Sequence, residues 1–285
     1  MPDQPLSSPG HTTVLAAVGR AIHLESGPPL LVADQFALDL AGEAGAALLS
    51  ALRQQTTPDG LVKFGRAFAI RARLVEDEVE RAAADGVTQY LVLGAGLDSF
   101  ALRRTAATET VRVFEVDRPA AQTWKRDRLA QLGIAEPAET VYVPVDFEAG
   151  GLTQALKGAG FDFSAPAVVS WIAVVQYLGT EAIDQTLQVI AVLPRGSRLV
   201  MTYCVPPAQL SELEQAGLAW TMSQAEARGE PFRTLLRPAE TDDLLRRHGF
   251  RTVKDNGPVE LRRRYFPDRP ELGLPGIERI AVATL

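Results

Sequence analysis

Two textures divide the chain. The first third is Ala- and Leu-rich with helical period, and the remainder alternates short β-branched and aromatic runs with amphipathic stretches. Residues 11–86 read as helices broken at Ser26-Gly27-Pro28-Pro29 and at Thr57-Pro58-Asp59-Gly60, where glycine and proline interrupt the pattern. From Thr88 onward the pattern predicts strands over residues 89–93, 111–116, 140–145, 167–171, 197–203, 250–254 and 279–284. Helices are predicted between them over about 100–105, 119–131, 151–156, 181–193, 207–228 and 239–248. The last of these ends in Arg246, Arg247 and His248 before Gly249, basic residues and a C-cap glycine where a helix terminus favours them. Buried strands alternating with helices build βαβ units and a parallel sheet covered on both faces. The expected organisation is a helical extension over residues 1–87 packed on an α/β core over 88–285, with a lid insertion at about 205–235.

The first predicted strand runs into "YLVLGAGLDS", an apolar segment ending in Gly94-Ala95-Gly96. Glycines there let the backbone turn tightly and approach a ligand closely. About twenty residues on, the second strand carries Glu115 and Val116, and a carboxylate at that strand's end can accept hydrogen bonds from both hydroxyls of a ribose. The third strand ends in Asp146-Phe147, an acid for an adenine amine beside an aromatic cover for the ring. Together these residues point to an adenosine-bearing cofactor. A dinucleotide site wants a third small residue, Gly or Ala, for helix–strand packing, and a helix N-terminus open to pyrophosphate. Here that position is Ser99, and the preceding Asp98 repels an anion and suits a cationic ligand instead. An NAD-dependent oxidoreductase is the alternative that this pair disfavours.

Composition narrows the class further. The 285 residues are 46% hydrophobic and 22% charged, enough for one large core with a cap. A formal net charge of -6 argues against a general polyanion binder, so no nucleic-acid partner is expected. The single cysteine, Cys204, excludes an intramolecular disulfide and a cysteine-based zinc site, and no metal is expected. The polar start, Met1 to Gly10, lacks the basic and apolar regions of a secretory signal, and no apolar run reaches membrane-spanning length; a cytoplasmic protein is expected. His23 and His248 read as structural. Nothing in the pattern sets an oligomeric state.

The runs "LVLGAGLDSFALRR", "VFEVDRP", "VPVDF", "SWIAVVQYL" and "GEPFRTLLRPAETDDLLRRHGF" resemble the leucine carboxyl methyltransferase family of class I S-adenosylmethionine-dependent methyltransferases. The likeness extends from about Thr12 to the C-terminus and is greatest to the bacterial branch that includes polyketide O-methyltransferases. It implies a Rossmann-like, seven-stranded, mostly parallel sheet of order 3-2-1-4-5-7-6 with the last strand antiparallel, S-adenosylmethionine as cofactor and S-adenosylhomocysteine as product. It places Gly94, Ala95, Gly96 and Asp98 in the cofactor loop, Glu115 and Val116 at the ribose, Asp146-Phe147 at the adenine and Ser170 beside the cofactor. Two departures stand out: Ser99-Phe100 where many relatives have Thr-Arg, and Ile172 where a common version of the fourth-strand motif has Glu. A catalytically silent S-adenosylmethionine-binding protein is the reading those departures leave open.

Arg71 falls within the apolar stripe formed by Phe64, Phe68, Val75, Val79 and Ala82, while Arg66, Arg73, Asp77 and Arg81 fall on the opposite face. A guanidinium there either snorkels, pairs with an acid such as Glu78, or meets the cofactor; the family pattern AxxARxR…D implies the methionyl carboxylate. Arg73 is placed to pair with Asp77 on the helix surface. Trp171, Gln176 and Tyr177 lie at the carboxyl end of a parallel strand, where substrates meet such sheets, with sheet or helix packing as the plainer role for Trp171 and Tyr177. Trp220 belongs to the lid, which also reads as a plain surface helix. The run Arg262-Arg263-Arg264 either steers an anion or is a solvated face. No catalytic residue is assigned. A carboxylate nucleophile needs no general base, whereas an alcohol or phenol needs one or a lowered pKa. The expected function is O-methylation of a small-molecule carboxylate or phenol.

Overall fold

The structure is a computed structural model and describes residues 10–269 and 271–285; the polar start read above as leaderless lies outside the described residues up to Gly10. Three helices come first: α1 (His11–Glu25), α2 (Ala37–Gln55) and α3 (Pro58–Ala84). Then follow β1 (Gln89–Leu93), β2 (Arg112–Asp117), α4 (Pro119–Gln131), β3 (Thr140–Pro144), α5 (Leu152–Gly158), β4 (Ala167–Trp171) and α6 (Thr180–Ala191). The chain closes with β5 (Arg198–Cys204), α7 (Glu212–Glu226), α8 (Pro238–Arg247), β6 (Thr252–Asn256), α9 (Pro258–Tyr265) and β7 (Glu278–Thr284).

The seven strands form one sheet in the order β3-β2-β1-β4-β5-β7-β6. Pairings from β3 through β5 are parallel, and β7 runs antiparallel to both β5 and β6. This is the α/β topology the resemblance implied. Alternation along each strand divides the core into two faces. Leu91, Leu93, Phe114, Val116, Val169 and Trp171 pack with α5, α6 and α8 on one face. Tyr90, Val92, Val113, Val168 and Val200 face α3 and Leu261 of α9 on the other. A third cluster joins α1 and α2 to Leu129 of α4. Where α1 crosses α3, small residues allow close approach: a Cβ at Gly65 would stand 2.8 Å from the backbone nitrogen of His23.

Local chemistry explains where elements differ from the pattern. Residues 100–105 form only a 3₁₀ turn at Phe100–Leu102, entered through Asp98 Oδ1, which accepts from the Phe100 N–H at 2.8 Å. The predicted 207–228 helix begins late, at Ser211, whose hydroxyl caps Glu214 in a reciprocal box. The pattern missed α9 altogether; its entry is built from Pro258 at the first turn and Glu260, which accepts from the Gly257 N–H at 3.0 Å. Among the described residues no helix is long and apolar enough to cross a membrane.

Candidate functional site

The carboxyl ends of β1, β2, β3 and β4 open into one cavity of about 350 Å³, roofed by α1 and α3 and by the segment after α7. Ligands bind in this crevice of an open parallel sheet because the chain reverses there and side chains diverge. The glycine turn after β1 forms its floor. Gly94 and Ala95 donate to the Val116 carbonyl at 2.8 and 3.0 Å, and Gly96 N–H donates to Asp117 Oδ2 at 2.5 Å, so the end of β2 fixes the loop. Gly94 and Gly96 take φ of +74° and +50°; Cβ atoms there would stand 2.2 Å from Val174 Cγ2 and 2.9 Å from Thr13 Cγ2. The turn therefore requires glycine on two counts, dihedral and space.

Several residues expected at the cofactor line this cavity: Gly94, Ala95, Gly96 and Asp98 from the turn, Asp146-Phe147 from beyond β3, and Ser170 from β4. Arg71 lines it as well, with its guanidinium 4.1 Å from the Phe68 ring centroid. It also forms an ion pair with Glu278 at the start of β7, a partner the pattern did not name; Glu78 pairs with Arg81 and Arg198 instead. Tyr177 lines the cavity with its ring edge-on to Phe232 at 5.1 Å, and burial pushes its hydroxyl pKa up.

Five expected site residues do not line the cavity. Glu115 is buried beneath α4, where Lys125 Nζ meets its carboxylate at 2.5 Å and Gln122 donates to its carbonyl at 2.8 Å. Val116 contributes its carbonyl to the turn while its side chain packs in the core. The acid that lines the cavity at the end of β2 is Asp117. Burial raises its carboxyl pKa above the usual range, opposed by the Gly96 and Arg118 N–H groups. Trp171 points into the opposite face of the sheet and is completely buried. Gln176 is buried too, and its carbonyl accepts from Arg233 and Thr234 N–H at 2.7 and 3.2 Å, which tethers the strap after α7. Trp220 is 57% exposed on the outer side of α7.

The helical region adds residues that pattern reading missed. Thr12, Thr13 and Arg20 come from α1, Phe68 and Glu76 from α3, and Arg118, Glu230 and Arg233 from loops at the rim. Thr12 Oγ1 donates to Glu230 Oε2 at 3.0 Å and Arg118 Nη2 lies 3.5 Å from Glu230 Oε1, closing α1 against the strap. The usable signal was positional: Asp117 is the last strand residue before Arg118-Pro119, hence the one nearest the crevice. Ala173, just past β4, has φ +58° and donates to Thr202 Oγ1 at 2.7 Å, a strained conformation for a non-glycine residue at the cavity wall. Six carboxylates and four guanidiniums line the cavity among the described residues, a balance that favours a cationic ligand. No group of acids, histidines and cysteine among the described residues could hold a metal.

Residues 13–191 match the sequence model of a family described as Leucine carboxyl methyltransferase. A protein of Mycobacterium sp. (strain JLS) that carries the name of an S-adenosyl-L-methionine-dependent methyltransferase is 36% identical over 210 residues, covering 68% of this chain and 67% of its own. YktD of Bacillus subtilis (strain 168), named in the same way, is 25% identical over 281 residues, covering 91% of this chain and 92% of its own. Among solved structures, a protein of Thermobifida fusca YX named as a methyltransferase superposes with a TM-score of 0.59 at 21% identity, over 98% of this chain and 96% of that one. A duf574 family protein of Streptomyces avermitilis MA-4680 gives 0.58 at 21% identity, over 97% of each chain. These two structures share the fold.

Proposed function

Since this chain belongs to the leucine carboxyl methyltransferase family, we propose that it moves a methyl group to an oxygen of a small-molecule carboxylate or phenol, of the polyketide type. It is a methyltransferase, S-adenosyl-L-methionine is its methyl donor, and the oxidoreductase alternative is set aside. The observation that carries the reading is the order of polar groups along the strand ends. Asp146-Phe147, Asp117, the Gly94–Gly96 turn and Ser170 line one cavity from β3, β2, β1 and β4, neighbours in that order across the sheet, and the reading lays adenine, ribose, thioether and amino acid along them.

In this reading Phe147 covers the adenine and Asp146 accepts from its amine. Asp117 accepts from the ribose hydroxyls, and Arg71 exchanges Glu278 for the methionyl carboxylate. The volume of about 350 Å³ lies within the range of roughly 300–1,000 Å³ common for small-ligand pockets. The bound donor supplies an electrophilic methyl on sulfur. The chain supplies alignment and a dry enclosure, which α1, α3 and the strap at Gly229–Pro231 provide. Enclosure by two helices and the strap favours a small acceptor over a protein terminus. Residues 1–87 then act as a cap and 205–235 as a lid over the 88–285 core.

The test is methyl transfer from methyl-labelled S-adenosylmethionine to a panel of aromatic carboxylic acids, phenols and amines. Label in a base-labile ester identifies a carboxylate acceptor, and label in a base-stable ether identifies a phenol. Transfer to nitrogen nucleophiles alone would overturn the oxygen assignment.

A further inference from the structure

Three carboxylates and two guanidiniums are enclosed together behind the glycine turn. Asp34 is buried and pairs with Arg20 Nε at 2.7 Å and Arg103 Nε at 3.5 Å, and it accepts from Ser99 Oγ at 2.6 Å. Arg103 Nη2 also meets Glu76 Oε1 at 2.9 Å. Asp98 completes the set: its Oδ1 accepts from the Phe100 N–H, and its Oδ2 has no partner among the described residues. Arg73 does not balance the account, because it stands 3.8 Å from Glu76 while holding Asp77 at 2.6 Å and Glu80 at 2.9 Å. One negative charge is left over. It faces the cavity, since Glu76, Asp98 and Arg20 line it, two acids to one guanidinium, whereas Asp34 and Arg103 do not. Burial holds the Glu76 carboxyl pKa above the usual range, and the neighbouring Asp98 charge adds to the rise.

Beneath these acids, Tyr90 Oη and Ser170 Oγ share a hydrogen bond of 2.8 Å, and both residues line the same recess. Whichever hydroxyl donates, lone pairs remain on both oxygens. Position 172, just past β4, offers no polar group: Ile172 lines the cavity there and packs with the apolar cluster under α3.

We propose that the α-ammonium of the methyl donor docks on the α3 side of the cavity, between Glu76 and Asp98 and over the Tyr90–Ser170 hydroxyls, rather than beside Ile172 just past β4. The inference rests on S-adenosylmethionine occupying this cavity. An ammonium has three N–H donors and no acceptor, and the recess presents Glu76, Asp98 and a hydroxyl oxygen to it. The positive charge cancels the surplus negative one, and Arg71 on the same helix remains for the carboxylate.

The experiment is calorimetric titration of the full chain and of the Glu76→Gln and Asp98→Asn variants with three ligands. These are S-adenosylhomocysteine, its deamino analogue, which keeps the carboxylate, and 5′-methylthioadenosine, which lacks the amino acid. Each variant is expected to bind S-adenosylhomocysteine roughly tenfold more weakly, the loss of one charge-assisted contact, while its affinity for the other two ligands stays within about twofold. Equal loss for all three ligands would assign Glu76 a packing role through Arg103 and overturn the proposal. So would unchanged affinity for S-adenosylhomocysteine. Should Glu76→Gln fail to fold, Asp98→Asn gives the same discrimination. An unmutated chain that binds S-adenosylhomocysteine no better than the deamino analogue overturns the ammonium site alone. One that binds none of the three overturns the donor assignment and this inference together.

Discussion

Glu115 and Asp117 sit two residues apart on β2 and point to the same side of the sheet, yet they do different work. The two-residue repeat of a strand lifts Asp117 by about 6.6 Å relative to Glu115, enough to clear α4 and reach the crevice. Below it, α4 seals Glu115 against Lys125, which is only 3% exposed. Removing one partner of a buried ion pair leaves the other charged and unsolvated, a loss of about 3–5 kcal/mol. Glu115→Ala is therefore expected to lower the urea-unfolding free energy by that amount while the folded protein keeps its affinity for S-adenosylhomocysteine. Asp117→Ala should show the converse, with affinity weakened by roughly 2–4 kcal/mol as two charge-assisted hydrogen bonds are lost, and stability lowered by only about 1–2 kcal/mol. Measuring both quantities on both variants decides between the two acids, because exchanged outcomes would return the ribose to Glu115.

At the scale of elements, one carboxylate of α3 ties that helix to α9. Asp77 receives Arg73 at 2.6 Å from its own helix, and Arg264 Nη2 at 2.6 Å and the Tyr265 hydroxyl at 2.7 Å from α9. Those contacts hold its carboxyl pKa below the usual range despite burial. Asp77→Ala should cost roughly 2–3 kcal/mol by leaving a guanidinium and a hydroxyl half-buried without their acceptor, and Tyr265→Phe about 1 kcal/mol; urea denaturation of the two variants reads both. The same helix shows why α9 escaped the sequence. Only Leu261 of α9 is buried, so its apolar period is faint, and the contacts that fix it reach a residue far back in the chain. By contrast α4, with Pro119 at its first turn, was legible to the residue because its start signal is local. The glycine turn and Asp146-Phe147 were legible for the same reason. Trp171 and Glu115 were not, since whether a strand-end residue faces ligand or core depends on the face it takes and on which helix covers it. Neither is encoded within a few residues of the position. Arg262–Arg264, read as a charged run, lies on α9, and Arg264 is spent on Asp77 rather than on steering.

For the molecule as a whole, acidity acts through the α1–α3 crossing that roofs the cavity. His23 is buried where α1 passes closest to α3, and its Nε2 accepts from the Leu31 N–H at 2.9 Å, a bond that only the neutral ring can make. Burial, reinforced by Arg66, lowers its pKa from 6.5 to about 4. A base whose pKa is depressed on folding binds more protons in the unfolded chain between those two values. Its contribution to stability is therefore full above pH 6.5 and is lost as pH falls toward 4. The shift corresponds to about 3 kcal/mol at the acid end. The buried acids Glu76, Glu115 and Asp117, with raised carboxyl pKa values, act in the opposite sense, since acidification relieves their burial. The total pH dependence of unfolding mixes both signs, and His23 is isolated only by difference. His23→Gln keeps an acceptor for Leu31 and does not titrate. The stability gap between the unmutated chain and this variant should shrink by about 3 kcal/mol, in favour of the variant, as urea denaturation is repeated from pH 7 to pH 4. A gap constant across that range would mean that His23 is already solvated in the folded protein. Because α1 also carries Thr12, Thr13 and Arg20 to the cavity, the same window should weaken donor binding in the unmutated chain more than in His23→Gln. The acid sensitivity of the roof would then reach the site through packing rather than through any titrating group that touches the ligand.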